Sequence, residues 1–125
     1  MELHIEEIVN NIKKQATFFL IDSGEFYPFG SKLLNDNNIV PVGVFIENDN
    51  DSQEIIHLLE IDAKESFLKE RIICFALGIN GVERKKINKT EVSNEVLIIR
   101  ITYDGEEWYQ NTYPYEVKNN IVKWI

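Results

Sequence analysis

Histidine and cysteine are almost missing from this 125-residue chain, which has two of the first and one of the second. A single cysteine excludes an internal disulfide, and Cys74 with His4 and His57 falls short of the ligand set of a structural zinc site. Cys74 sits inside the apolar run IICFAL at 72–77 with no close cationic neighbour, so it reads as a small core residue and not as a reactive thiol. That run and its like are too short to cross a bilayer. Gly-x-Ser-x-Gly, a glycine-rich phosphate loop and a Cys-His pair with a third orienting group are all lacking, and no cofactor is expected. An excess of basic residues is lacking too. The net charge is -8, with fourteen acids against five bases in residues 1–70 and seven against eight in 71–125. Such a surface repels phosphate backbones, which argues against nucleic acid, and it suits a partner with a basic face.

What is there has the length and apolar fraction, 44%, of one globular domain spanning 1–125. The opening MELHIEEIVNNIKK carries acids and helical spacing where a signal peptide would place basic residues and a solid apolar block, so a cytoplasmic protein is expected. Leu3, Ile5, Ile8, Val9, Ile12, Ala16, Phe19 and Leu20 form the apolar stripe of an amphipathic helix that should end at Asp22-Ser23-Gly24. GEFYPFGSKLL, the polar turn 35–38 and IVPVGVFI then read as two strands. Val40, Val42, Val44 and Ile46 take the core face, and Pro41, with no N–H to donate, marks an edge strand or a position whose nitrogen points outward. A second helix is expected from a cap at Asp51 or Ser52 to about Lys69, buried through Ile56, Leu59, Ala63 and Phe67. Asp49, Asp51, Gln53, Ile56 and Glu60 match calcium-loop spacing, but Glu54 stands where that loop needs glycine, so a capped helix accounts for them better.

A strand from about Ile72 to Val82 follows, then a polar connection, ERKKINKTEVSN, whose Arg84, Lys85, Lys86 and Lys89 make the one basic cluster. Asp104-Gly105 is a favoured pair for a two-residue hairpin turn. In that register Tyr103 faces Glu106 and Ile101 faces Trp108. Leu97, Ile99, Ile101, Tyr103 and Trp108 then share the core side, and Ile98, Arg100, Thr102, Glu107 and Tyr109 the other. Residues 121–125 are apolar and should dock on the body. The expected fold is α+β: an antiparallel sheet of about five strands with two helices on one face, in the order α-β-β-α-β-β-β, the element order of the profilin and roadblock group.

Gly24, Phe26, Pro28, Phe29 and Gly30 form a GxFxPFG segment that resembles one in a group of small uncharacterised bacterial proteins. The resemblance implies a structural role for the segment, with Pro and Gly shaping the strand entry and Phe filling core, and it implies no activity.

Function is expected on a surface. Aromatic residues crowd the first and last hairpins, and Tyr27, Phe29, Arg100, Glu107, Tyr109 and Tyr113 are the candidate partner-binding residues. The expected function is a small acidic interaction module, an adaptor or immunity-type protein, that binds a protein partner with a basic surface or a second copy of itself. The alternative is a small-molecule or regulatory domain with a pocket near Phe26 to Gly30; an apolar cavity holding Tyr27 or Tyr113 would favour it. An acid-base site assembled from Glu25, Tyr27, Tyr113 and Tyr115 is weaker, since no spacing demands it, and an enzyme is not expected.

Overall fold

The computed structural model describes residues 2–44 and 51–125, with the side chains of 2–4 excepted. The sequence-stripe residue Leu3, His4, and the second-strand residues Phe45, Ile46 and Glu47 with the loop acid Asp49 therefore lie outside the described side chains. The elements run α1 (Glu2–Ser23), β1 (Phe29–Leu34), β2 (Ile39–Val42), α2 (Ser52–Lys69), β3 (Ile72–Ile87), β4 (Thr90–Thr102), β5 (Trp108–Lys118) and β6 (Ile121–Trp124). The six strands form one sheet in the order β2-β1-β3-β4-β5-β6, and every pair is antiparallel.

Helix α1 ends where a left-handed glycine stops it: Gly24 has φ 78° and its N–H donates to the Leu20 carbonyl at 2.9 Å. Helix α2 begins at the cap Asp51, whose carboxylate accepts from the Gln53 N–H at 2.9 Å. Of the calcium-spaced residues, Asp51 is this cap and Gln53, Ile56 and Glu60 lie in α2, while Asp49 falls outside the described residues; no cluster of three potential metal ligands occurs among the described residues.

The two helices do not share a face of the sheet, which corrects the expected architecture. Cys74 and Ala76 of β3 pack in the cluster around Ile8, Ile12, Ala16 and Leu20 of α1. Phe75 and Leu77 pack in a second cluster, with Ile55, Leu59 and Ala63 of α2. Neighbours in a strand point to opposite sides, so α1 and α2 sandwich β3 between them. A strand covered on both sides reads as a continuous apolar run, and IICFAL is such a run.

Helix α1 touches strands from Phe29 in β1, through Gly78 in β3, to Trp124 in β6. A row of strands at ~4.8 Å spacing from β1 to β6 is roughly 19 Å wide, and a helix is only about 10–12 Å across, so the sheet must curl around it. Close approach is bought at Gly78: a Cβ there would lie 2.7 Å from the Phe29 ring and 2.9 Å from Ile12 Cγ2. One polar contact sits under the helix. Ser31 is fully buried and its hydroxyl donates to Asn11 Oδ1, while Gln15 Nε2 donates to both at 2.7–2.8 Å. The three side chains bond to one another, so the triad fixes how α1 lies on β1 and satisfies the buried Ser31 hydroxyl.

Three further findings differ from the sequence reading. The basic segment is not a loop: β3 and β4 stay paired to Ile87↔Thr90 and turn on Asn88 and Lys89, both at positive φ, so Arg84, Lys85, Lys86 and Lys89 belong to an exposed hairpin arm. Residues 121–124 are a sixth strand, joined to β5 by a similar turn at Asn119 and Asn120. Pro41 does mark an edge, since β2 ends the sheet.

The last difference is register. Thr102 pairs with Trp108 and Ile101 with Tyr109, so residues 103–107 form a longer loop than Asp104-Gly105 alone would make. The Thr102 hydroxyl is buried and accepts from the Gly105 N–H at 2.8 Å. Asp104 Oδ1 accepts from the Glu106 and Glu107 N–H groups at 2.8 and 2.9 Å. These side chains replace the tight turn's own backbone bond. A one-residue shift moves every side chain of a strand to the other face. Tyr109 therefore lies on the α1 side with Ile101, and Trp108 on the α2 side with Arg100.

Candidate functional site

Because β5 is inverted, its odd residues meet α1. Ile5 and Val9 of α1, Ile99 and Ile101 of β4, Tyr103 of the loop, and Tyr109, Asn111 and Tyr113 of β5 line a groove of about 280 Å³. Its floor is aliphatic and its rim carries three phenols and one amide. Tyr103 and Tyr109 stand with ring centroids 6.0 Å apart at 53°. Burial pushes the Tyr103 phenol up from its ordinary value, with the Cys74 thiol and the Tyr109 phenol adding to the effect. Tyr109 remains 54% exposed. At the far end Lys13 Nζ lies 4.4 Å from the Tyr113 ring centroid and 5.4 Å from that of Trp124, which holds both rings against α1.

The predicted surface residues divide over several places. Tyr109 and Tyr113 come together in the groove. Arg100 lies on the α2 side, its guanidinium 5.0 Å over the Trp108 ring and 3.7 Å from Glu60. Glu107 is exposed in the loop, where its N–H is tied to Asp104. Phe29 is buried at 5% exposure and meets Phe19 and Phe26 edge-on, so it is core and not an exposed contact residue. Tyr27 is 48% exposed beside a second cleft, of about 460 Å³, lined also by Phe19, Phe26, Pro28, Phe29 and Val44. In the GxFxPFG segment Phe26 and Phe29 are buried, and the loop before β1 walls this cleft.

The candidate acid-base set does not assemble. Glu25 and Tyr27 line the cleft, Tyr113 lines the groove, and Tyr115 is buried with its hydroxyl donating to Asn80 at 2.8 Å. Burial raises the Tyr115 phenol to about 12. Burial likewise raises the Cys74 thiol to about 11, away from the thiolate form a nucleophile needs. His57 is exposed on α2.

Sequence reasoning missed Ile5, Val9, Ile99, Ile101, Tyr103 and Asn111 as partners of Tyr109 and Tyr113, since it put Tyr109 on the opposite side from Ile101. The signal that would have found them is Thr102 before Asp104: two short hydrogen-bonding side chains flanking a turn favour a longer loop. No helix among the described residues is long and apolar enough to cross a membrane. Comparison of the chain with protein-family models, with curated proteins and with solved structures finds no match.

Proposed function

We propose that the chain is a small acidic protein-interaction module, an adaptor or immunity-type protein of the cytoplasm, that captures a segment of a partner in the tyrosine groove. The observation that carries this reading is the groove itself: three phenols and Asn111 around an aliphatic floor, with Tyr109 half exposed. Tyrosines bury large area at little conformational cost and still offer a hydrogen bond, which is why they recur as anchors of protein contacts. The net charge of -8 supports a basic partner, whose approach it would speed. A bait experiment with the wild-type chain and a Tyr109→Ala chain tests it. The expected result is a basic protein held by the wild type that, once purified, binds Tyr109→Ala at least about tenfold more weakly. Equal affinity for both chains refutes the groove as the site. If the captured protein is an enzyme, loss of its activity at one-to-one stoichiometry separates an immunity role from an adaptor role.

The cleft at Tyr27 supports a second reading, a small-molecule binding domain, because its volume and aromatic walls fall in the range of ligand sites. A thermal-shift screen of apolar aromatic fragments should then find hits that Tyr27→Ala abolishes and Tyr109→Ala leaves alone. Hits indifferent to Tyr27→Ala would count against it.

A further inference from the structure

The groove borders a stretch of backbone whose hydrogen-bonding groups have no strand beside them. Strand β6 covers only the second half of β5, from Lys118↔Ile121 to Tyr115↔Trp124, with one more bond from the Ile125 N–H to the Pro114 carbonyl at 2.9 Å. In an antiparallel ladder a residue directs its N–H and C=O to the same side, and the next residue but one does the same. Pro114 faces β6, so Thr112 and Gln110 face that side too, while Asn111 and Tyr113 pair with Ile99 and Leu97 of β4. No strand among the described residues covers the Gln110 and Thr112 side, and residues 110–112 are exposed.

We infer that this open edge of β5 accepts an extended segment of a basic protein partner as a seventh strand in line with β6. The inference rests on the groove as the binding site and adds how the partner is held. An open row of alternating N–H and C=O groups is satisfied repeatedly only by another extended backbone. Directly paired residues share a face of a sheet, so incoming residues opposite Tyr109, Asn111 and Tyr113 point into the groove. Those must be apolar to meet Ile5, Val9, Ile99 and Ile101. The residues between them, opposite Gln110 and Thr112, make the backbone bonds and point to the other face. Charge decides between a partner and a second copy. On the face the intervening residues take, the Glu83 carboxylate, paired with Lys85, also accepts from the Thr112 hydroxyl at 3.5 Å, and the chain carries -8 overall, so self-pairing brings like charges together while a lysine-bearing strand neutralises them.

The probe is an acetylated, amidated nine-residue peptide that alternates lysine with valine, and the readout is amide hydrogen exchange of the intact chain. Without peptide, the Gln110 and Thr112 amides should exchange rapidly and those of Asn111 and Tyr113 slowly. Saturating peptide should slow Gln110 and Thr112 at least about tenfold, and the same peptide N-methylated at its lysines should not. Thr112→Pro should weaken peptide binding about tenfold or more, since it removes an outward N–H as Pro114 already does two residues on. Three results overturn the inference: Gln110 and Thr112 slow in the free chain at low concentration; protection that rises with the chain's own concentration, which assigns the edge to a second copy; or peptide that perturbs Tyr109 and Tyr113 while Gln110 and Thr112 stay fast. The last leaves the groove standing and removes only the added strand, whereas protection undiminished in Tyr109→Ala removes the groove and keeps the edge.

Discussion

Residue by residue, the fold leans on a few positions where size or proton affinity is set by neighbours. Gly78 is the tightest: a methyl group there would collide with the Phe29 ring and Ile12 at 2.7–2.9 Å, on a strand buried from both sides. Gly78→Ala should therefore destabilise by roughly 1–3 kcal/mol in chemical denaturation, the ordinary cost of overpacking, although alanine suits a strand better than glycine. Cys74 is fully buried, and its thiol is raised to about 11. A thiol reagent at pH 8 should leave the native chain unlabelled and modify one site once it is denatured; rapid labelling of folded chain would contradict that burial. Cys74 was legible as core in the apolar run at 72–77, whereas Gly78 lies just beyond that run and its neighbours come from distant segments. Both face α1, Cys74 in the cluster of Ile8 and Ile12 and Gly78 against Ile12 and Phe29.

At the scale of elements, helices were read more closely than strand pairings. The stripe from Ile5 to Leu20 and the cap at Asp51 set both helices within a residue or two, because periodicity and capping are local. Asp51→Ala should cost about 1 kcal/mol and lower the melting temperature by about 3–5 °C. The last hairpin was misread because its register depends on which groups bond the turn, and Thr102 and Asp104 outcompeted the two-residue form. Thr102→Val keeps the shape but deletes the acceptor of the Gly105 N–H, so it should destabilise by roughly 1–3 kcal/mol and loosen the Tyr103 wall of the groove. Normal stability with sharpened binding would show that the loop does not brace the site. The basic segment was misread for the opposite reason: polar on both faces, its hairpin arm has no core to give it an alternating signature.

For the whole molecule, titration frames stability from both ends. Backbone N–H groups of Glu107 and Glu106 hold the Asp104 carboxyl below its ordinary value, and Lys32 does the same for Glu70. Folded carboxyls with lowered pKa stabilise above their unfolded values and lose that contribution as pH falls through the folded ones. At the other end Cys74 and Tyr115 are raised to about 11 and about 12, so their contribution is complete below the unfolded values of 9.0 and 10.0 and declines as pH climbs beyond them. Denaturant midpoints should be highest between these limits, drop below about pH 4 and drop again above about pH 9, and Cys74→Ala should soften the alkaline limb. A midpoint that keeps rising above pH 10 would contradict the burial of both groups. The α+β class and the edge at Pro41 were visible in the sequence, while the placement of helices on two faces and the groove depended on pairings between distant segments.

The strand order has a kinetic consequence. Strands β3 to β6 follow one another as a meander closed by short turns, whereas β1 reaches β3 only after the intervening α2 has been passed. Local closures form sooner than distant ones. The C-terminal half should therefore assemble first and the N-terminal hairpin should zip on afterwards. Weakening Asn119-Asn120 would then retard refolding, and weakening Leu33 against Cys74 would chiefly hasten unfolding.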